Sequence, residues 1–370
     1  MSSGRDTSWI WHPDWIEKPN SSSAGVFVHF RKLINLEHAP NRPVRIAITA
    51  DTRYKLYINS RMIHDGPVKG DEHAWFYDVL DIQPHLCLGR NTIAVHVLRF
   101  YHAPKRASSF ARNAYPGLYI KPESDEGQHE VNIQTDETWK TAIDPCIHLP
   151  AKANFDNYLN IFEQVDQRES HKMRWVAGRP QGFKVNYGHS TPCSLCPRMT
   201  SLPRRETSWL KSIHNVKSLQ SPETWSLLLD QVGGNNPGIL LPRGTTHHVE
   251  FDMEHYTTAH VRFCFARPST SGSILDVTWC ERYSDEPTQR PFPRYRRDRA
   301  DTTGFVLGPK DQYILASSLD EKLRLWHDES EGDQETFAPF HYRAFRFFAL
   351  GIRVAQDSDL ALKQIAHCQN

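Results

Sequence analysis

The sequence predicts an all-β protein: two antiparallel, jelly-roll-like β-sandwich domains joined by an irregular segment. Three observations lead there. Apolar residues recur at every second position in many short runs, the period that lines one face of a strand. Turn-forming residues separate those runs at the spacing of sandwich strands. No sustained period of about 3.6 residues competes with the alternation.

In chain order, an aromatic start, Trp9-Ile-Trp11, leads to a run in which Val26, Val28 and Phe30 alternate with Phe27 and His29. The stretch Arg45–Pro67 follows. Ile46 and Ile48 alternate with Ala47 and Thr49, and Tyr54, Leu56 and Ile58 with Lys55 and Tyr57. Asn59-Ser60 falls where a tight hairpin turn belongs, because Asn tolerates positive φ. Ser at such a position costs about 1 kcal/mol relative to Gly. Phe76–Ile82 reads as a further strand, and Leu88–Asn91 as a turn. Thr92–Leu98 then puts Ile93, Val95 and Val97 on one face. Tyr119–Ile133 holds two short strands around the polar turn Glu123–Gly127, with Trp139 and Trp175 anchoring the same module.

Turn-rich residues 187–206 read as an interdomain connection. Ser221 followed by Pro222 supplies an N-cap and a first helical residue, so a short helix is expected to about Leu229. Gly233–Gly238 breaks the chain. In the second β block Val249, Phe251 and Met253 alternate with Glu250, Asp252 and Glu254. His260–Phe265, Ser273–Cys280, Gly304–Gly308, Asp311–Leu315 and Phe345–Val354 complete it, and Leu360–Ile365 is expected to form a terminal helical turn. The expected divisions are residues 1–186, a first sandwich with an irregular extension; 187–237, the connection; 238–356, the second sandwich; and 357–370, a tail.

Composition narrows the function classes. At 370 residues with 24% charged side chains, the chain suits a soluble globular protein rather than a disordered one. A net charge of +1 gives no bulk field for nucleic acid or membrane. No run approaches the roughly 20 apolar residues of a membrane span, and the N-terminus lacks a signal-peptide core, so a cytoplasmic setting is expected. Seven scattered cysteines fit reduced thiols. Cys193 and Cys196 form one CxxC with His189 nearby but without a fourth ligand, so neither zinc nor redox chemistry is assigned. His247-His248 and Glu254-His255 lack HExxH spacing. There is no GxSxG, GxGxxG or Walker loop. No metal and no cofactor are therefore expected. The basic run Arg290–Arg299 and the acidic run Asp328–Glu335 read as solvated loops.

Several motifs share an order that points further. Ala50-Asp-Thr-x-Tyr-x-Leu-Tyr-Ile-Asn59 is followed by Asp65-Gly-Pro67, Tyr77-Asp-Val-Leu-Asp-Ile82 and Leu88-Gly-Arg-Asn-Thr-Ile-Ala-Val95. Later come Glu163-Gln-Val-Asp-Gln-Arg168 with Trp175, then Tyr256–Phe263, Asp276–Glu281, Gly308–Tyr313 and Glu335–Phe348. Together they resemble the β-sandwich domains of bacterial- and fungal-type alpha-L-rhamnosidases, which are glycoside hydrolases. The chain departs from the family in having Asn59-Ser60 where Asn-Gly is usual. The resemblance implies a rhamnosidase-like scaffold. In that family the catalytic carboxylates sit on a helical α/α toroid that follows the sandwiches, and fewer than twenty residues follow Val354 here. The expectation is a truncated relative with no catalytic residue of its own and no turnover. Its partner would be a carbohydrate or rhamnoside ligand. Self-association, or a partner chain, would use the face that a toroid normally covers.

A sugar-binding surface needs an exposed aromatic platform with polar neighbours for the hydroxyls. Trp75, Tyr77, Tyr101 and His102, near strand ends of the first sandwich, are the candidates. Glu281, Asp285 and Glu335 are read as strand-end charges or ion-pair members. Arg343 and Arg346, three apart on one strand, should face opposite sides, one of them pairing with Glu281 or Asp311.

Overall fold

A computed structural model describes residues 9–18, 21–71, 74–101, 115–123, 131–150, 162–181, 194–202, 206–208, 210–229, 238–287, 296, 298–317 and 334–369. Strands dominate, so the fold is all-β as expected. Among the described residues the one α-helix is the single turn Pro222–Ser226, and no helix is long and apolar enough to cross a membrane. Ser221 caps that turn by accepting the Thr224 N–H, with Pro222 next, as the sequence predicts. Two compact units emerge. The first draws its described residues from Met1–Leu159 and Lys172–Ser201. The second draws them from Asn160–His171, Leu202–Lys322 and Gly332–Asn370.

The first unit contains β1 (Trp9–Trp11), β2 (Gly25–Leu36), β3 (Arg45–Asp51), β4 (Arg53–Ile58), β5 (Arg61–Gly66), β6 (Ala74–Asp81), β7 (Gly89–Phe100), β8 (Gly117–Pro122), β9 (Lys140–Ile143) and β10 (Ile147–His148). The short β12 (Val176–Ala177), β13 (Arg179–Pro180) and β14 (Ser194–Pro197) also belong to it. Two six-stranded sheets result, ordered β13-β1-β8-β3-β6-β14 and β12-β9-β2-β7-β4-β5. Ile46, Ile48, Leu118 and Ile120 of the first meet Val28, Phe30, Leu56, Val95 and Val97 of the second in one dry core. This is the alternation read from the sequence, realised as a sandwich.

Two details differ from the simplest reading. The hairpin at Asn59-Ser60 joins β4 to β5, with both turn residues at positive φ (48° and 65°). The preceding β3, however, lies in the opposite sheet. The chain crosses the sandwich at Asp51–Arg53, so both halves of Arg45–Pro67 bury their apolar faces in the same core from opposite sides. In addition, β14 pairs with β6 in parallel, which makes that edge an exception to the antiparallel rule.

The second unit holds β11 (Gln164–Asp166), β15 (Glu206–Ser208), β16 (Ser212–Lys217), β17 (Ile239–Leu241), β18 (Thr246–Ala266), β19 (Ile274–Cys280), β20 (Lys310–Ile314), β21 (Gln334–Phe337), β22 (Arg343–Arg353) and β23 (Leu360–Gln369). Its long β18 is the corner. The register with β22 breaks between Asp252 and Thr257, where Glu254 has φ 69°. Before the break β18 pairs with β16 and β22, and after it mainly with β23 and β21. Both limbs feed one core, in which Phe263 lies 6.1 Å from Phe348 and Phe251 stacks on Phe348 at 4.9 Å. Leu360–Ile365 is strand rather than the expected helical turn. Leu360 and Leu362 are buried by pairing with β17 and β18, and that alternation at period two decides the matter.

Candidate functional site

A recess lies in the second unit, on the sheet face opposite the Phe251–Phe348 core. Cross-strand register builds it. Ala349 and Gly351 of β22 form its floor. Ala349 pairs with Glu250 on one side and Thr278 on the other, and Gly351 pairs with His248 and Asp276. Side chains on opposed residues stand side by side. A methyl group and a hydrogen in the middle row therefore leave space between the polar rows. Thr302–Leu307 makes a wall, and the open recess measures about 650 Å³. Phe305, held by two backbone hydrogen bonds to Ser284, keeps 43% of its surface exposed.

Two carboxylates dominate the polar lining. Glu250 Oε2 accepts from Tyr283 Oη at 2.6 Å and from Asn215 Nδ2 at 2.7 Å, and His248 Nε2 lies 3.0 Å from Oε1. Asn215 reaches in because β16 bulges there, with Asn215 at φ 48°. Burial opposes ionisation of Glu250, but the hydrogen bonds from His248, Tyr283 and Asn215 outweigh it and hold the carboxyl below its ordinary range. Burial first, and the carboxylate second, push the Tyr283 hydroxyl up. The neighbouring Cys280 thiol is raised to about 12 by burial and by Glu250. Asp276 is ringed by donors: Gln312 Nε2 at 2.8 Å, Arg353 at 2.9 Å and Lys310 Nζ at 3.2 Å. Glu250 is thus held ionised by its donors and Asp276 is paired with cations, the arrangement of a polar receptor.

Of the residues chosen from sequence, Trp75, Tyr77 and Tyr101 are placed elsewhere, in the first unit. Trp75 is only 2% exposed; it packs with Trp9 and Tyr119 and donates its indole N–H to Thr49 Oγ1 at 3.1 Å. Tyr101 is likewise buried. A platform must offer an open ring face, so the structure corrects the expectation for these two: they are packing residues. Tyr77 is half-buried on β6, and its carbonyl accepts the Arg198 N–H at 2.9 Å. His102, Cys193, His189 and most of the 290–299 and 328–335 runs lie outside the described residues.

Other expectations resolve clearly. Arg343 forms a buried, two-pronged pair with Asp311 at 2.6 and 2.9 Å, while Arg346 grips Asp252 on the other face at 3.0 and 3.1 Å. Asp311 also accepts the Trp279 indole N–H at 2.7 Å and the Glu163 backbone N–H at 2.9 Å. Glu335 is no solvated charge: it is buried and accepts from Tyr313 Oη at 2.9 Å and Ala316 N at 3.1 Å. His247 and His248 take opposite faces, and His247 is clasped between Ser218 and Thr245 at 2.7 and 2.6 Å. Sequence reasoning missed Asn215, Glu250, Asp276 and Phe305 as one site. Its only trace was the polar half of the β18 alternation.

No family model matches the chain, and no curated protein matches it. Solved structures do. The GH78 family rhamnosidase of Bacillus sp. GL1 superposes with a TM-score of 0.68 at 14% identity, over 98% of this chain and 55% of its own. The alpha-L-rhamnosidases of Dictyoglumus thermophilum (17% identity) and Aspergillus terreus (16%) each give 0.52, over 96% and 97% of this chain and 35% and 36% of theirs. This chain therefore spans about half, or about a third, of the length of these enzymes. At such identities the likeness speaks for the fold alone: the chain has the fold of a β-sandwich portion of alpha-L-rhamnosidases.

Proposed function

We propose that the chain is a carbohydrate-binding, rhamnosidase-like β-sandwich protein, the accessory part of a glycoside-handling system, which binds rhamnosides without hydrolysing them. The recess between Glu250 and Asp276 carries this reading. A sugar presents hydroxyls around its ring and an apolar face. Carboxylates, an amide and a lysine at one end of a recess, with an exposed phenyl ring at its wall, match both features. Glycoside hydrolysis asks for more: two carboxyl groups flanking the bond, one kept protonated by its surroundings. Glu250 is shifted the other way, so it does not serve as that acid.

A cytoplasmic setting is supported by the free thiols of Cys87, Cys146, Cys196, Cys264 and Cys280. Self-association through an apolar face is the accompanying expectation, measured by light scattering.

Calorimetric titration of the purified chain with L-rhamnose and with rhamnosides tests the reading. Saturable heat that disappears in Gly351→Leu, whose side chain would fill the floor, is the expected result. Absence of binding to any rhamnoside, or steady product release from an aryl rhamnoside, would sink it.

A further inference from the structure

The first unit carries a separate group of side chains with ligand character. His29 of β2 and His96 of β7 are direct cross-strand partners. Their rings stack with centroids 4.1 Å apart and planes 12° from parallel. Asp144 lies just past β9, which pairs with β2 on its other side. Its Oδ2 is 2.7 Å from His29 Nε2 and 3.6 Å from His96 Nε2. One ligand atom from each residue lies within 4.8 Å of the others. All three are nearly enclosed, at 2%, 6% and 9% exposure.

We propose that His29, His96 and Asp144 bind a divalent transition-metal ion of the zinc class. Zinc held by imidazole nitrogen and carboxylate oxygen at about 2.0–2.2 Å sets neighbouring tetrahedral donors roughly 3.3–3.5 Å apart. The His96–Asp144 separation of 3.6 Å is near that spacing, and the His29–Asp144 pair opens by less than an ångström to reach it. Two imidazoles and one carboxylate suit zinc, cobalt, nickel or copper rather than calcium or magnesium, which prefer all-oxygen shells. Outer contacts already orient the carboxylate: Asp144 Oδ1 accepts the Cys146 N–H at 2.7 Å, and the Asp144 N–H bonds to Phe27 O at 2.9 Å. The ring planes are 12° from parallel, so binding turns one ring out of the stack to bring its in-plane lone pair onto the ion. Three protein ligands leave a fourth position for water. No sequence motif announces the site, since His29 and Asp144 are 115 residues apart.

The test uses the whole reduced chain, stripped with a chelator, and Zn²⁺ or Co²⁺ alone as probe. One equivalent of Zn²⁺ should bind saturably near pH 7.5 and raise the melting temperature. Co²⁺ should give visible d–d bands of nitrogen and oxygen ligation without the near-ultraviolet thiolate band that cysteine ligation would produce. Affinity should fall by more than about tenfold in Asp144→Asn and in His96→Gln, which is 1.4 kcal/mol or more. Asp144→Asn keeps the acceptor for Cys146, and circular dichroism shows whether each variant folds. The cobalt spectrum of the unmodified chain decides the case even where a variant does not fold. Absence of stoichiometric binding, a cobalt spectrum carrying only thiolate ligation, or equal affinity in both folded variants would overturn the site. Because the metal is measured directly, failure here leaves the carbohydrate reading untouched, and the reverse holds too.

Discussion

The two units use the same strand alternation and handle buried charge in opposite ways. In the first, bulky groups close over the polar side chains. Arg99 and Asp51 pair at 2.7 Å with no exposed surface, and Asp78 is enclosed by Tyr54, His64 and Arg198. Outside the core, His29 stacks on His96 and Trp175 covers Arg31 at 4.5 Å. The second unit has closed networks of this kind too, Arg343–Asp311–Trp279 among them, but on its other face the middle of β22 is Ala349 and Gly351. There the charged rows stand around an opening. The size of the side chains at mid-sheet, more than the number of charges, separates a sealed polar network from a receptor.

Breaking the sealed network should have the largest effect. Arg343→Leu leaves Asp311 and Glu163 buried without their cation and should lower stability by about 3–5 kcal/mol, read from urea unfolding. Adding Asp311→Asn should recover part of that loss; no recovery would mean that the pair is not the coupled unit described. Closing the recess comes next. Gly351→Leu should weaken rhamnoside binding by more than about tenfold, which is 1.4 kcal/mol, while the melting curve stays nearly unchanged. A large loss of stability instead would show that the space is needed for folding.

A smaller effect concerns acid. The Glu250 carboxyl is held below its ordinary value, so its contribution to stability is full above the unfolded value, about 4.3. It is lost as pH falls through the lower folded value. Glu250→Gln should cost about 1 kcal/mol at neutral pH and flatten that acid limb in pH-dependent melting. An unchanged limb would place the dependence elsewhere. The smallest expected change is a gain: Ser60→Gly should stabilise the first unit by up to about 1 kcal/mol in chemical denaturation, because Ser60 sits at φ 65°.

Much of the scaffold was legible because alternation is local. Ile46, Ile48, Leu56 and Val95 declare a buried face within a few residues of sequence, and Asn59-Ser60 declares a turn. The helix at Pro222 was legible for the same reason, since capping is settled by adjacent residues. The binding residues were not. Period two says that His248 and Glu250 leave the core face, but not that β22 would place Ala349 and Gly351 beside them. Trp75 was misread in the complementary way: an aromatic near a strand end looks available until β1 and β8 bring Trp9 and Tyr119 against it.

By itself the sequence determined the all-β class, the faces of the strands, the hairpin turn and an ion pair for one of Arg343 and Arg346, because each follows from spacing along one strand or from the need to neutralise a buried charge. Tertiary structure alone decided that β3 and β4 part into opposite sheets, that Leu360–Ile365 extends as strand, and that Glu250 meets Asp276 across a glycine floor. It also brought His29, His96 and Asp144 within ligand distance. Those outcomes depend on register between segments far apart in the chain, and register is set by the packing of the whole sheet rather than by any window of sequence.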